Sequence, residues 1–195
     1  RRFGELVRGE GGVAIDNPDF AYISLGIPVA DECRRSLARS VARRIRSPLG
    51  RGNFVRPHKA GNARLRIGYL SGDLRAHAVA YLIGGLFELH DRNRFEVYAY
   101  STGPDDGSRE RRRAEAGADV FRDVSAFSGV VIGQAIAMDG IDILVDLSGY
   151  TLYGRPEAMA LRPAPVQVAY LGFMGTQGAP WIDYTLLDRV TLNAE

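Results

Sequence analysis

From Arg64 onward the chain alternates segments of two hydrophobic periods. That alternation constrains the fold more than any other feature. Residues 65–71, 94–101, 120–124, 141–147, 166–171 and 184–187 are rich in β-branched and aromatic residues and are bounded by turn formers, so they read as strands. Residues 79–89, 109–116, 130–138 and 157–161 lie between them and read as helices. The 141–147 segment, Ile141-Asp142-Ile143-Leu144-Val145-Asp146-Leu147, is almost continuously apolar, as a strand covered on both faces must be. Strand and helix in strict succession imply βαβ units. The expected architecture is therefore α/β, a parallel sheet with helices on both faces.

Before Arg64 the texture differs. Residues 1–28 are irregular, and Asp31 and Glu32 open a helix with Cys33, Leu37, Val41 and Ile45 on one face. Pro48 and Gly50 stop it, and residues 47–63 read as a connecting loop. Charge is uneven along the chain. Twelve basic residues and one acid, Asp73, fall between Cys33 and Arg75, out of 25 and 23 in the whole chain, which leaves 13 basic against 22 acidic elsewhere. Such a stretch suits either an anionic partner or a solvated helix and linker. Only Phe54 and Tyr69 interleave it with aromatic rings, which favours the solvated helix and disfavours nucleic acid. The single cysteine, Cys33, excludes an internal disulfide framework and a cysteine-based zinc cluster. No apolar h-region follows Arg1-Arg2-Phe3-Gly4-Glu5, and no window reaches the ~18 apolar residues of a membrane span. A cytoplasmic location without membrane association is expected.

In parallel α/β sheets ligands sit beyond the carboxyl ends of the strands. The loops that matter are therefore 71–78, 102–107, 148–156 and 172–180. The first carries Asp73 and His77, four residues apart, a carboxylate able to orient an imidazole suited to proton transfer near neutral pH. A turn role for Asp73 and a backbone bond for His77 would explain the same pair. Loop 148–156 offers hydroxyls, Arg155 and two glycines, a rim able to hold a sugar or phosphate. Loop 172–180 places glycines at 172, 175 and 178, where backbone can approach a ligand closely. It is neither the dinucleotide fingerprint nor a Walker loop, and no Gly-x-Ser-x-Gly elbow occurs. Asp105-Asp106 within Pro104-Asp105-Asp106-Gly107 is explained by a turn without a metal.

Read in order, these segments resemble the O-linked N-acetylglucosamine transferase family, specifically its bacterial members and Spindly branch. The resemblance rests on Arg66-Ile67-Gly68-Tyr69-Leu70-Ser71-Gly72-Asp73-Leu74-Arg75-Ala76-His77-Ala78-Val79, then Arg94-Phe95-Glu96-Val97-Tyr98-Ala99-Tyr100-Ser101 with Gly103-Pro104-Asp105-Asp106-Gly107. It continues through Asp139-Gly140-Ile141-Asp142-Ile143-Leu144-Val145-Asp146-Leu147-Ser148-Gly149-Tyr150-Thr151, then Leu161-Arg162-Pro163-Ala164-Pro165-Val166-Gln167-Val168, and ends on Leu171-Gly172-Phe173-Met174-Gly175-Thr176-Gln177-Gly178-Ala179. It is close over 64–195 and looser over 18–46.

The resemblance implies a Rossmann-like lobe, 64–195, the first of the two lobes of a GT-B glycosyltransferase. Residues 1–63 would link upstream tetratricopeptide repeats to it, and a second lobe would follow. It implies transfer of N-acetylglucosamine from UDP-GlcNAc to Ser/Thr hydroxyls of a protein acceptor, by inversion and with no metal or other cofactor. His77 and Asp73 match catalytic positions; Tyr150, Thr151, Leu171, Gly172, Gly175 and Thr176 match positions around the donor sugar. Without the second lobe this stretch is expected to lack turnover. Two departures stand out. Ala76-His77-Ala78 replaces Asn-His-Pro of the animal enzymes, and Gly172-Phe173-Met174-Gly175-Thr176 replaces Gly-Tyr-Pro-Gly-Thr. The second leaves GDP-fucose or UDP-glucose open as donors. A non-catalytic Rossmann-like module that binds through the arginine-rich segment is the competing class.

Overall fold

The computed structural model describes residues 21, 24–26, 28, 30–45 and 64–189. The reading of 47–63 as a connecting loop lies outside the described residues, as does most of the reading of 1–28. A 3-10 turn at Ser24–Gly26 precedes helix α1, Asp31–Arg44. Strand β1 is Leu65–Ser71, and two short helices follow, α2 at Ala78–Ile83 and α3 at Leu86–Leu89. Then come β2 (Phe95–Ser101), α4 (Arg109–Gly117), β3 (Val120–Asp123), α5 (Gly129–Met138), β4 (Ile143–Asp146), α6 (Pro156–Ala160), β5 (Val166–Tyr170) and β6 (Tyr184–Leu186).

All six strands form one parallel sheet in the order β3-β2-β1-β4-β5-β6. The chain winds outward from β1 to β3, then returns to place β4 on the other side of β1. This is the doubly wound order of Rossmann-like folds, with its switch point between β1 and β4. Ile67 lies opposite Ile143 and Leu70 opposite Asp146 across that junction.

Alternating strand residues fill two cores. On one face Ile67, Tyr69, Val97, Ala99 and Val145 meet Val79, Ile83, Phe87 and Ala114. On the other, Leu70, Tyr98, Tyr100 and Leu144 meet Ile132 and Ile136 of α5 and Ala158 and Met159 of α6. Burial of this apolar surface is the main force closing the helices onto the sheet. Helix α1 buries Leu37, Ala38, Val41 and Ala42. Leu37 and Val41 form a third cluster with Ala21 and Tyr150, against which Phe173 packs. The arginine-rich helix is thus seated on the loops after β4 and β5.

Two expectations need correction in detail. The helix read over 79–89 is broken, because Gly84 ends α2 and Gly85 opens α3. A Cβ at Gly84 would lie 2.9 Å from the Ala80 carbonyl and 3.0 Å from Arg113 Nη1, so the glycine lets α4 approach. The strand read over 141–147 is ladder-paired only over Ile143–Asp146. Ile141 and Leu147 are nevertheless fully buried at its ends.

Candidate active site

The four loops singled out by their position do converge beyond the carboxyl ends of the strands, and hydrogen bonds tie them together. After β1, Ser71 Oγ accepts from Asp73 N at 3.0 Å, which turns the chain sharply and buries Asp73 to 5% exposure. Arg75 Nη2 donates to Asp73 Oδ1 at 3.3 Å, and its guanidinium lies 5.6 Å from the Tyr153 ring centroid. Asp73 Oδ2 is 3.6 Å from His77 Nδ1, beyond hydrogen-bond reach. His77 is the N-cap of α2, and its Nδ1 accepts from Val79 N at 3.3 Å. In this arrangement the neutral ring carries its proton on Nε2. If Nδ1 is protonated it turns instead to Asp73, and Nε2 becomes an acceptor. Of the alternatives that the spacing left open, the structure displays the backbone bond at His77, with the buried Asp73 carboxylate close by but not bonded to the ring.

The loop after β2 holds this segment from the side. Thr102 N donates to Ser71 O at 2.8 Å, and Asp106 Oδ2 accepts from Ala76 N at 2.8 Å. A Cβ at Gly103 would fall 2.0 Å from the Gly72 carbonyl oxygen, so only glycine allows the two loops to touch. The Ser108 hydroxyl and the backbone N–H groups of Ala76 and Ser108 pull the Asp106 carboxyl down to about 2. Asp106 therefore supports the His77 loop. Among the described residues no group of three or more His, Cys, Asp or Glu side chains is placed to hold a metal ion.

After β4 the turn is organised by Asp146. Its Oδ1 accepts from Ser148 N and Gly149 N, both at 3.0 Å, and its Oδ2 accepts from Gln177 Nε2 at 2.9 Å. Burial raises the Asp146 pKa, and the three N–H donors oppose that rise. Ser148 Oγ accepts from Gly72 N at 2.9 Å, bridging the switch point between β1 and β4. Thr151 Oγ1 donates to Ser148 O at 2.7 Å, and Thr151 stays half-buried at the rim. Tyr150 is 1% exposed and donates its hydroxyl to Gln177 O at 2.8 Å. Its ring meets Phe173 edge-on at 5.5 Å. Tyr150 thus shapes the edge from within.

After β5, Leu171 adopts φ 63°, and Gly172 N donates to Tyr170 O at 2.8 Å. A Cβ at Gly172 would lie 1.6 Å from Leu147 O, so the loop passes directly over the end of β4. Gly175 and Thr176 line two grooves beside α1. One, about 510 Å³, is bounded by Leu25, Arg34, Arg35, Phe173 and Met174 as well. The other, about 520 Å³, is bounded by Arg35, Arg39, Arg43, Gly178 and Thr185. Asp73, His77, Tyr150, Thr151, Leu171 and Gly172 share the carboxyl edge with these grooves but do not line them.

Three organising residues were not anticipated as site residues: Asp106, Asp146 and Gln177. For Asp146 a signal exists, an acid closing an otherwise apolar strand. For Gln177 none does, since its partner lies 31 residues away in sequence.

The fold is a Rossmann-like α/β sheet with a His–Asp loop at its switch point. The sequence model of Glycosyl transferase family 41 matches residues 28–195, and the chain belongs to that family. It is 41% identical over 151 residues to an Arabidopsis thaliana protein, named as a probable UDP-N-acetylglucosamine–peptide N-acetylglucosaminyltransferase SEC, covering 74% of this chain and 16% of that protein. It is also 41% identical over 129 residues to the UDP-N-acetylglucosamine–peptide N-acetylglucosaminyltransferase of Caenorhabditis elegans, covering 66% of this chain and 11% of that protein. The chain therefore spans less than one fifth of these relatives. Its structure resembles a mutant O-GlcNAc transferase from Thermobaculum terrenum, with a TM-score of 0.73 and 40% identity over 81% of this chain and 30% of that one.

Proposed function

We propose that residues 64–195 form the first catalytic lobe of a two-lobed protein O-glycosyltransferase. Residues 1–63 join it to upstream tetratricopeptide repeats, and a second lobe completes the nucleotide site. The enzyme works in the cytoplasm, moves N-acetylglucosamine from UDP-GlcNAc to Ser/Thr hydroxyls, inverts the anomeric carbon and needs no metal. The observation that carries this reading is the Asp73–His77 loop, positioned at the β1/β4 switch point and bridged there to the Ser148–Thr151 turn.

In this reading the acceptor hydroxyl oxygen bonds to the anomeric carbon as the bond from that carbon to the diphosphate breaks. The electron pair leaves on the diphosphate, and the hydroxyl proton leaves through His77. For that step the ring takes the tautomer with its proton on Nδ1, which gives up the Val79 N–H and donates to Asp73, and Nε2 presents its lone pair to the acceptor. Asp73 holds the tautomer and stabilises the charged ring, and Arg75 bonds its other carboxylate oxygen. Thr151, Leu171, Gly172, Gly175 and Thr176 border the sugar, with Tyr150 behind them. This lobe alone lacks turnover in this reading.

The test is incorporation of labelled sugar into a Ser/Thr peptide by the full-length protein. His77→Ala and Asp73→Ala are expected to lower kcat by about 10²–10⁴-fold, the usual worth of positioned proton transfer. Unchanged turnover would remove both roles. Met174 is 88% exposed on the groove it lines, where the donor loop of the family usually carries proline. That favours running a donor panel with GDP-fucose and UDP-glucose beside UDP-GlcNAc.

A further inference from the structure

Among the described residues, the buried carboxylate of Asp146 touches no cation. It is 4% exposed, and its hydrogen bonds come from two backbone N–H groups and one side-chain amide. An ionised carboxylate held this way is costly unless every donor is kept in place. Gln177 is 6% exposed, and its side chain reaches back from the loop after β5 to the end of β4. Its Oε1 has no hydrogen-bond partner among the described residues, so the polar anchoring of this side chain seen here goes through Nε2 to Asp146. A side chain filling space would not need that amide. The main chain of the same residue receives the Tyr150 hydroxyl, so residue 177 is gripped twice by the β4 end. Gly149, at φ 54°, leaves room for this contact: a Cβ there would meet Phe173 Cβ at 2.6 Å and Gln177 Nε2 at 3.1 Å. The Asp146 turn also carries Ser148, whose Oγ takes the Gly72 N–H next to Asp73.

We propose that Asp146 and Gln177 are a pair of positioning residues that set the donor loop, 171–178, against the Ser148–Thr151 turn and the His77 loop. The pair acts through backbone placement and does not touch substrate. The proposal rests on the glycosyltransferase reading above for what the loop binds, and on geometry alone for the clasp itself. Because the bond is buried and its loss leaves a polar atom unpaired, that loss is worth about tenfold in whatever depends on the loop's position.

The experiment uses the full-length protein in three forms besides wild type. Gln177→Met keeps the length of the side chain and removes the donor. Asp146→Asn combined with Gln177→Glu exchanges donor and acceptor, so that the amide now at position 146 gives the hydrogen bond and the carboxylate now at position 177 receives it. Gln177→Glu alone sets two carboxylates face to face. Amide hydrogen exchange over 148–150 and 171–178 reads the clasp directly. It is expected to quicken by about tenfold or more in Gln177→Met and Gln177→Glu, and to return to within about threefold of wild type in the exchanged pair. Steady-state kinetics with UDP-GlcNAc and a Ser/Thr peptide read its function. Donor KM is expected to follow the same pattern, while acceptor KM stays within about twofold. Unchanged exchange in Gln177→Met overturns the clasp, and so does an exchanged pair that folds but protects no better than Gln177→Glu. Donor and acceptor KM rising together overturns the positioning role. The expected exchange pattern across the variants, with no sugar transferred by the wild-type protein, overturns the glycosyltransferase reading and leaves the clasp standing.

Discussion

Single residues decide how the carboxyl edge is held, and two of them make separate predictions. Asp106 has a folded-state pKa of about 2, below the ~3.9 of an unperturbed aspartate. A depressed carboxylate stabilises the fold above its unfolded pKa, and that contribution is lost as pH falls through about 2. Carboxyl-carbon NMR is therefore expected to find Asp106 titrating near 2, and Asp106→Ala to speed amide exchange at Ala76. Titration near the ordinary aspartate value would show that the bond to Ala76 is not made in solution. At Gly172 there is no space for a side chain, since the new carbon would sit 1.6 Å from Leu147 O. Gly172→Ala is expected to cost about 1–3 kcal/mol in denaturant unfolding, the usual penalty of overpacking. A neutral substitution would mean that the loop after β5 does not cross β4 this closely. The Asp73–His77 loop was legible in the sequence, because an acid and a histidine after a strand are few and conspicuous. Gln177 was invisible, because a neutral amide between glycines has no pattern until the chain folds and brings Asp146 to it.

At the level of elements, periodicity predicted each strand and helix of the lobe but not where a helix breaks. Gly84 and Gly85 were read inside one helix, since apolar spacing runs through them, and the approach of Arg113 that requires Gly84 comes from a different helix. Helix α4 shows the same limit. Residues 109–116 read as a polar helix, yet Arg111 is 3% exposed. Its guanidinium donates to Ser101 Oγ at 2.6 Å and to Glu115 and Asp123 at 2.8 Å, and it stacks 4.5 Å from the Phe121 centroid. One arginine thus pins α4 to the ends of β2 and β3. Glu115 and Asp123 are each about 40% exposed, so water can take over from the lost cation. Arg111→Met is accordingly expected to fall below the ~3–5 kcal/mol of fully buried broken pairs, at about 2–3 kcal/mol in urea unfolding. A change under about 0.5 kcal/mol, the usual size for surface substitutions, would contradict the keystone role.

For the whole molecule, strict strand–helix alternation was enough to foresee a parallel sheet covered on both faces. It did not disclose the order of the strands; the return of the chain to β1 after β3 creates the switch point, and only the folded structure displays it. That return is what brings the His77 loop beside the Ser148–Thr151 turn, joined by the Gly72–Ser148 bond across 76 residues of sequence. The arginine-rich helix also takes on a defined place, seated on the two loops after β4 and β5 and walling the grooves that Thr176 borders. The central claim is that this edge transfers sugar, and the transfer assay addresses it directly. Full-length protein is incubated with UDP-GlcNAc carrying a labelled sugar and a Ser/Thr peptide, as wild type and as His77→Ala. Label is expected on peptide hydroxyls with wild type, with a loss of about 10²-fold or more in the variant. Equal labelling by both would contradict the central claim.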